Sequence, residues 1–254
     1  MRPVARGLSK LLPNFCPQCP TITAHLGLRC ERLVTEGLVR RTTVAGIGGI
    51  AFSVLTVVGI VMAMPPGGGY NESNIADYLA KGHRPVVIVA FYLGLLGILG
   101  LIYLLVHLRD AIGATPENQH TAAIFWGTGL AGATSFAIGW AVIGGQVIAH
   151  LEGGHKIVIA PPLTYLIGEI GVVMIFGSGA VLLGFALIAL GLAGRLTFPG
   201  WLRWLTLITG LASIAGLAFF PFFLLIIWGI VIGIWLLMVR RDADGSAASG
   251  PASA

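Results

Sequence analysis

The chain has 254 residues, 56% of them hydrophobic and only 10% charged, with a mean hydropathy of +0.92. A soluble globular domain is about a quarter charged, so a water-covered surface is excluded and lipid must cover the molecule. A net charge of +5 and a pI near 9.4 would suggest a nucleic-acid partner only if the basic residues formed a patch, and their spread along the chain excludes one.

The chain starts with a polar segment, residues 1–41, read as a disordered cytoplasmic N-terminus. It carries Arg2, Arg6, Lys10, Arg29, Arg32, Arg40 and Arg41 with no early apolar run, so no cleavable signal is expected and the first hydrophobic segment serves as an uncleaved anchor. The three cysteines fall here, in the order Cys16, Cys19, His25, Cys30. Thiolate and imidazole suit zinc, and a reducing cytosol favours metal over disulfide. The spacing is one residue longer between the second and third positions than in a CCHC knuckle. No glycine makes the turn after Cys16, and the flanking LGLRCERL adds no aromatic residue to cover a metal. Metal ligands are therefore assigned to none of these residues. VTEGLVRRTT at 34–43 reads as an ordinary start for such a protein, so residues 1–33 are expected to be dispensable.

A spanning helix needs about 20 apolar residues, since about 30 Å of hydrocarbon is crossed at 1.5 Å per residue. The first span is expected over about 42–64, ending at Pro65-Pro66-Gly67-Gly68-Gly69. The second starts at Pro85, a favoured first-turn residue, and runs to about His107. The third covers about 120–149 and the fourth about 163–193. From Trp204 to Val239 there is no charge; those 36 residues make roughly 54 Å of helix, more than one crossing needs. Phe219-Phe220-Pro221-Phe222 lies in the middle, and proline removes a helix donor. A tight hairpin is expected there, giving six spans over 42–240 and a disordered cytoplasmic tail over 241–254. A single kinked fifth helix is the alternative.

Orientation follows from Lys and Arg in short loops. With six spans, one side collects the seven N-terminal basic residues plus Arg109, Arg195, Arg203, Arg240 and Arg241, twelve in all, against Lys81, Arg84 and Lys156 on the other. Both termini are therefore expected in the cytoplasm. The Arg excess over Lys, with abundant Gly and Ala, points to a GC-rich bacterium and its inner membrane.

Chemistry is sparse. The histidines His83, His107, His120 and His150 mark span ends rather than interiors, and His25 and His155 lie outside, so no haem is expected. His150, Glu152 and His155 in HLEGGH sit in a glycine-loosened loop without HExxH spacing. Asn71-Glu72-Ser73 is a formal glycosylation sequon, idle in a bacterium. Ser178, between Gly177 and Gly179, has no His or Lys in a neighbouring span to activate it. The Gly229/Gly233 pair is a GxxxG, read with the other glycines as packing within the chain. Trp126, Trp201 and Trp204 read as interface anchors.

One residue stands apart. Glu169 lies about six residues, or roughly 9 Å, inside the fourth span, where an ionisable group by default marks function. Tyr165 is its i−4 neighbour; Gln146, His150 and Tyr92 are expected at similar depth. A ligand-binding polar pocket, open to the outer side, is expected from these five, with a structural hydrogen bond or a wet surface carboxylate as the plain alternative.

The segments FYLGLLGILGLIYLLVHLRD, WLRWLTLITGLASIAGL and PFFLLIIWGIVIGIWLLM resemble a family of bacterial multi-pass membrane proteins known only as a domain of unknown function. The resemblance spans about residues 44–240 and implies a membrane bundle with no assigned activity. The sequence thus predicts an all-α bundle of six transmembrane helices, without enzymatic chemistry or cofactor. Its partners are the lipid bilayer and a membrane protein or second copy, not nucleic acid. A sensing or accessory protein binding a partner or small ligand, or else a small-molecule or ion transporter using the Glu169 pocket, is the expected function.

Overall fold

Proline and glycine set the breaks between helices. The computed structural model describes residues 23–63, 84–152, 160–193, 198–215 and 222–248, with side chains in the first helix described from Arg41 onward. The elements are α1 (Thr23–Ala63), α2 (Arg84–Gly113), a 3₁₀ turn (Pro116–Asn118), α3 (Gln119–Glu152), α4 (Pro161–Val172), a π-helical segment (Val173–Gly179), α5 (Ala180–Ala193), α6 (Gly200–Ala215) and α7 (Phe222–Ala248). α4 begins on Pro161 and Pro162 after an extended Ala160 (φ −60°, ψ 140°), as the clash of a proline ring with the preceding residue requires. At the start of α6 the Pro199 carbonyl accepts from the Leu202 and Arg203 N–H groups at 3.0 and 3.1 Å.

The fold is all-α and membrane-type. Among the described residues four helices are long and apolar enough to cross a membrane, Arg41–Ala63, Arg84–Gly113, Pro116–Ala149 and Pro162–Ala193, and a shorter apolar one covers Phe223–Val239. The expected hairpin, centred on residues 219–221, lies outside the described residues. Two helix ends differ from expectation. α1 starts at Thr23, within the segment read as disordered, and α7 continues to Ala248, into the expected tail. Beyond Pro20 the segment has no proline and is rich in Leu, Arg and Glu, all good helix formers.

Contacts divide the chain into residues 1–41 and 42–254; the packing below lies within the second unit. Consecutive helices are neighbours: α2 packs on α3, α3 on α4, the π segment and α5, α5 on α6, and α6 on α7. α7 returns to α1, where a Cβ on Gly49 would meet the Gly229 carbonyl at 2.9 Å and one on Gly46 the Gly233 carbonyl at 2.9 Å. α1 in turn meets α2 at Gly48 and Gly100, each so near that a Cβ on either would approach the other's carbonyl to 2.5 Å. α3 also reaches α1, where Phe136 meets Phe52. The GxxxG pair is used within the chain, against α1.

Such approaches suit a fold in lipid. Without water there is no hydrophobic drive between helices, and close van der Waals contact between small residues takes its place. The interior is filled by side chains: Phe52, Phe125, Phe136, Trp140, Leu183 and Trp228 are fully buried, with Phe52 and Phe136 edge to face at 6.0 Å. The outside is apolar too. Val61, Leu99, Tyr103, Trp204 and Leu211 are exposed. α6 makes the inversion plain. Its buried face is Leu202, Thr206, Thr209, Gly210 and Ser213, whereas Trp201, Trp204, Ile208 and Leu211 face outward.

Candidate functional site

The expected site centres on α4, which leans on α3 through glycines. A Cβ on Gly139 would meet the Gly171 carbonyl at 2.7 Å, and one on Gly171 the Gly139 carbonyl at 2.9 Å. This contact brings Gln146, only 7% exposed, against the first turns of α4. With its amide oriented to match donors to acceptors, Gln146 Nε2 donates to the Thr164 carbonyl and its Oε1 accepts from the Gly168 N–H, both at 3.0 Å. Residues 164 and 168 are the two ends of one helical turn, so the amide spans that turn as a brace. Gln146 thus couples α3 to α4.

Glu169 lies on the opposite side of the helix. Thr164, Gly171 and Ile175 are buried toward the bundle, while Leu163, Leu166, Glu169, Ile170 and Val173 are exposed. The Tyr165 hydroxyl hydrogen-bonds the Glu169 carboxylate along the helix, the i, i+4 pairing that helical spacing predicts. Tyr92 is on α2, 59% exposed, its ring 5.2 Å from that of Phe91. The side chain of His150, with His155 and Lys156, lies outside the described residues. Of the five expected residues, the structure joins Tyr165 to Glu169 and engages Gln146 with the α4 backbone. Glu169 and Tyr92 are both exposed, so the described residues do not enclose the carboxylate.

A second polar cluster joins Ser178 to Ser135, a residue the sequence did not single out. In the π-helical segment the Met174 carbonyl accepts from Ser135 Oγ of α3 at 2.9 Å and from Ser178 Oγ at 3.2 Å, and the two hydroxyls lie 2.5 Å apart. Ser178 therefore has hydroxyl and carbonyl partners and no base among them. π turns recur at functional sites, and a serine shared between α3 and the widened turn anchors this one. VMIFGSG gives no warning of it, because its residues suit an ordinary apolar helix equally well.

At the far end of the same rod, Arg203 Nε donates to the Gly191 carbonyl at 2.9 Å and Asn118 Nδ2 to that of Ala193 at 3.5 Å. Both bonds tie neighbouring elements to the last described turn of α5. Arg109 stands 5.6 Å over the Trp126 ring. Among the described residues no three His, Cys, Asp or Glu side chains gather as metal ligands. Cys16 and Cys19, and the side chains of His25 and Cys30, lie outside them.

No protein family, curated protein or solved structure matches the chain. Any function must be argued from its own residues.

Proposed function

We propose that the chain is a multi-pass protein of a bacterial inner membrane, without catalytic chemistry, that acts as an accessory or sensing protein and docks a membrane partner through the Glu169 face of α4. The observation that carries this reading is one ionisable side chain exposed among Leu163, Leu166, Ile170 and Val173. The rod from Pro162 to Ala193 has 32 residues, about 48 Å of helix against about 30 Å of hydrocarbon. Centred in the bilayer, it leaves Glu169 about 13 Å from the midplane, just inside the hydrocarbon. Carboxylates at such depth almost always face a bundle interior or a water-filled cavity. One on the outer face needs cover from another molecule. A partner helix offering Lys, Arg or a hydroxyl would supply that cover and give the association a direction that apolar contact alone lacks in lipid.

Six crossings with both ends cytoplasmic belong to the same proposal. They are supported by the basic residues, twelve on one side and three on the other, and by the inverted pattern of α6, polar inward and apolar outward. The Arg203 bond to Gly191 lies at the end of α6 that carries the exposed Trp201 and Trp204, an arrangement suited to the membrane interface. A transporter would need its carboxylate within a polar pocket of the bundle, open to the outer side. The exposure of Glu169 favours docking.

A photo-crosslinking amino acid placed at Leu166 or Ile170 of the full chain in intact cells tests this. The expected result is a discrete protein adduct, identified by mass spectrometry as one partner or a second copy, which weakens at least several-fold when Glu169→Leu is added. Adducts with lipid alone, or a protein adduct indifferent to residue 169, would count against docking.

A further inference from the structure

Hydroxyls on apolar helices often fold back onto the carbonyl one turn earlier, and five in this chain do. Ser53 donates to the Gly49 carbonyl at 3.0 Å, Thr128 to Ile124 at 2.8 Å, Thr134 to Leu130 at 2.9 Å, Ser178 to Met174 at 3.2 Å and Thr206 to Leu202 at 2.8 Å. Among the described residues Thr56, Thr164, Thr209 and Ser213 do not, and the last two stand one turn apart on the buried face of α6. Both are 0% exposed, and neither Thr209 Oγ1 nor Ser213 Oγ has a hydrogen-bond partner among the described residues. A buried polar group without a partner is rare and disfavoured, more so where no bulk water is near.

We infer that Thr209 and Ser213 hold an internal water-binding site between α5 and α6. The two residues are four apart on one helix face, so their Cβ atoms are about 5–6 Å apart. One water at a normal distance of about 2.8 Å from each hydroxyl spans that gap. A buried water needs two to four polar partners, and the same crossing supplies more acceptors. Gly184 of α5 and Gly210 of α6 approach so closely that a Cβ on Gly184 would meet the Gly210 carbonyl at 2.7 Å, and one on Gly210 the Gly184 carbonyl at 2.9 Å. Each carbonyl oxygen has a second lone pair beyond its helical bond. Ser213 Cβ would lie 3.1 Å from a Cβ on Gly184, so Ser213 stands at this crossing. Toward the start of α6 the polar stripe is closed, because Trp228 Nε1 donates to Thr206 Oγ1 at 3.0 Å. Beyond that bond the orphaned hydroxyls begin.

The sign of a stability change tests the site. If the hydroxyls hold water, Thr209→Val and Ser213→Ala strand a bound water, and each should lower the apparent Tm of the full chain in lipid nanodiscs by about 2 °C or more. The double variant should lose less than the sum of the two, because they share one water. If the hydroxyls are merely unpaired, removing either should leave Tm unchanged or raise it, and that result overturns the proposal. Should a variant fail to insert, the unaltered chain decides. A structure at water-resolving resolution should show density about 3 Å from both oxygens. Hydroxyls turned back onto the Leu205 and Thr209 carbonyls, or a dry crossing, would overturn the site.

Discussion

Individual residues decide how closely the helices meet, and glycine decides it most often. At Gly100 a Cβ would approach the Gly48 carbonyl to 2.5 Å, backbone that cannot yield without moving a helix, whereas nothing lies within 4 Å of the same position on Gly127. Gly100→Leu should therefore force α1 from α2 and lower the yield of folded protein, with a destabilisation of several kcal/mol on the scale of a badly overpacked core. Gly127→Ala should be neutral or stabilise by up to about 1 kcal/mol through helix propensity. Thermal melts of both variants in detergent check the contrast. That glycines pack helices together was legible in the sequence; which glycine meets which was not, because the pairing depends on neighbours far apart in the chain. Glu169 shows the same limit. Its spacing from Tyr165 placed both on one helix face, and the structure pairs them. Which way that face points could not be read, because α4 is apolar on nearly every side and gives the periodicity no contrast to report.

Helix positions were more legible than helix shapes. Proline punctuation and apolar runs located α2, α3 and the long rod from Pro161 to Ala193. The π-helical segment inside that rod was invisible, since its wide turn is held by Ser135, thirty-nine residues earlier. Ser135 is only 8% exposed and reaches both Met174 and Ser178, whereas Ser178 is exposed. Ser135→Ala should therefore cost about 0.5–1.5 kcal/mol, the net value of a typical hydrogen bond, and Ser178→Ala less, because the Met174 carbonyl keeps Ser135. Equal losses in a denaturation series would mean that the bond between α3 and the π segment carries no special weight. α6 shows what composition conceals. Its Thr206, Thr209 and Ser213 fall at i, i+3 and i+7, a helical stripe visible in the sequence, and all three are buried. The stripe is faint in the sequence because three hydroxyls carry no charge and scarcely lower the hydropathy of an otherwise apolar helix.

At the scale of the whole molecule, helices consecutive in sequence pack side by side and the last returns to the first through Gly46, Gly49, Gly229 and Gly233. Such an order follows from short connections between antiparallel neighbours, so the architecture was nearly contained in the list of spans. Its direction across the membrane rests on twelve basic residues against three, and the side on which Glu169 is proposed to dock depends on it, because a cytoplasmic N-terminus followed by three crossings puts the Pro161 end of α4 on the outer side. The direct measurement is labelling of single cysteines in intact cells with a membrane-impermeant maleimide, in a chain whose Cys16, Cys19 and Cys30 are replaced by serine. Cysteine introduced at Gly68 or Gly153 should label, and cysteine at Ala252 should label only after the cells are opened. Labelling at position 252 in intact cells would mean an odd number of crossings or the opposite orientation, and would contradict the six-span bundle with cytoplasmic ends.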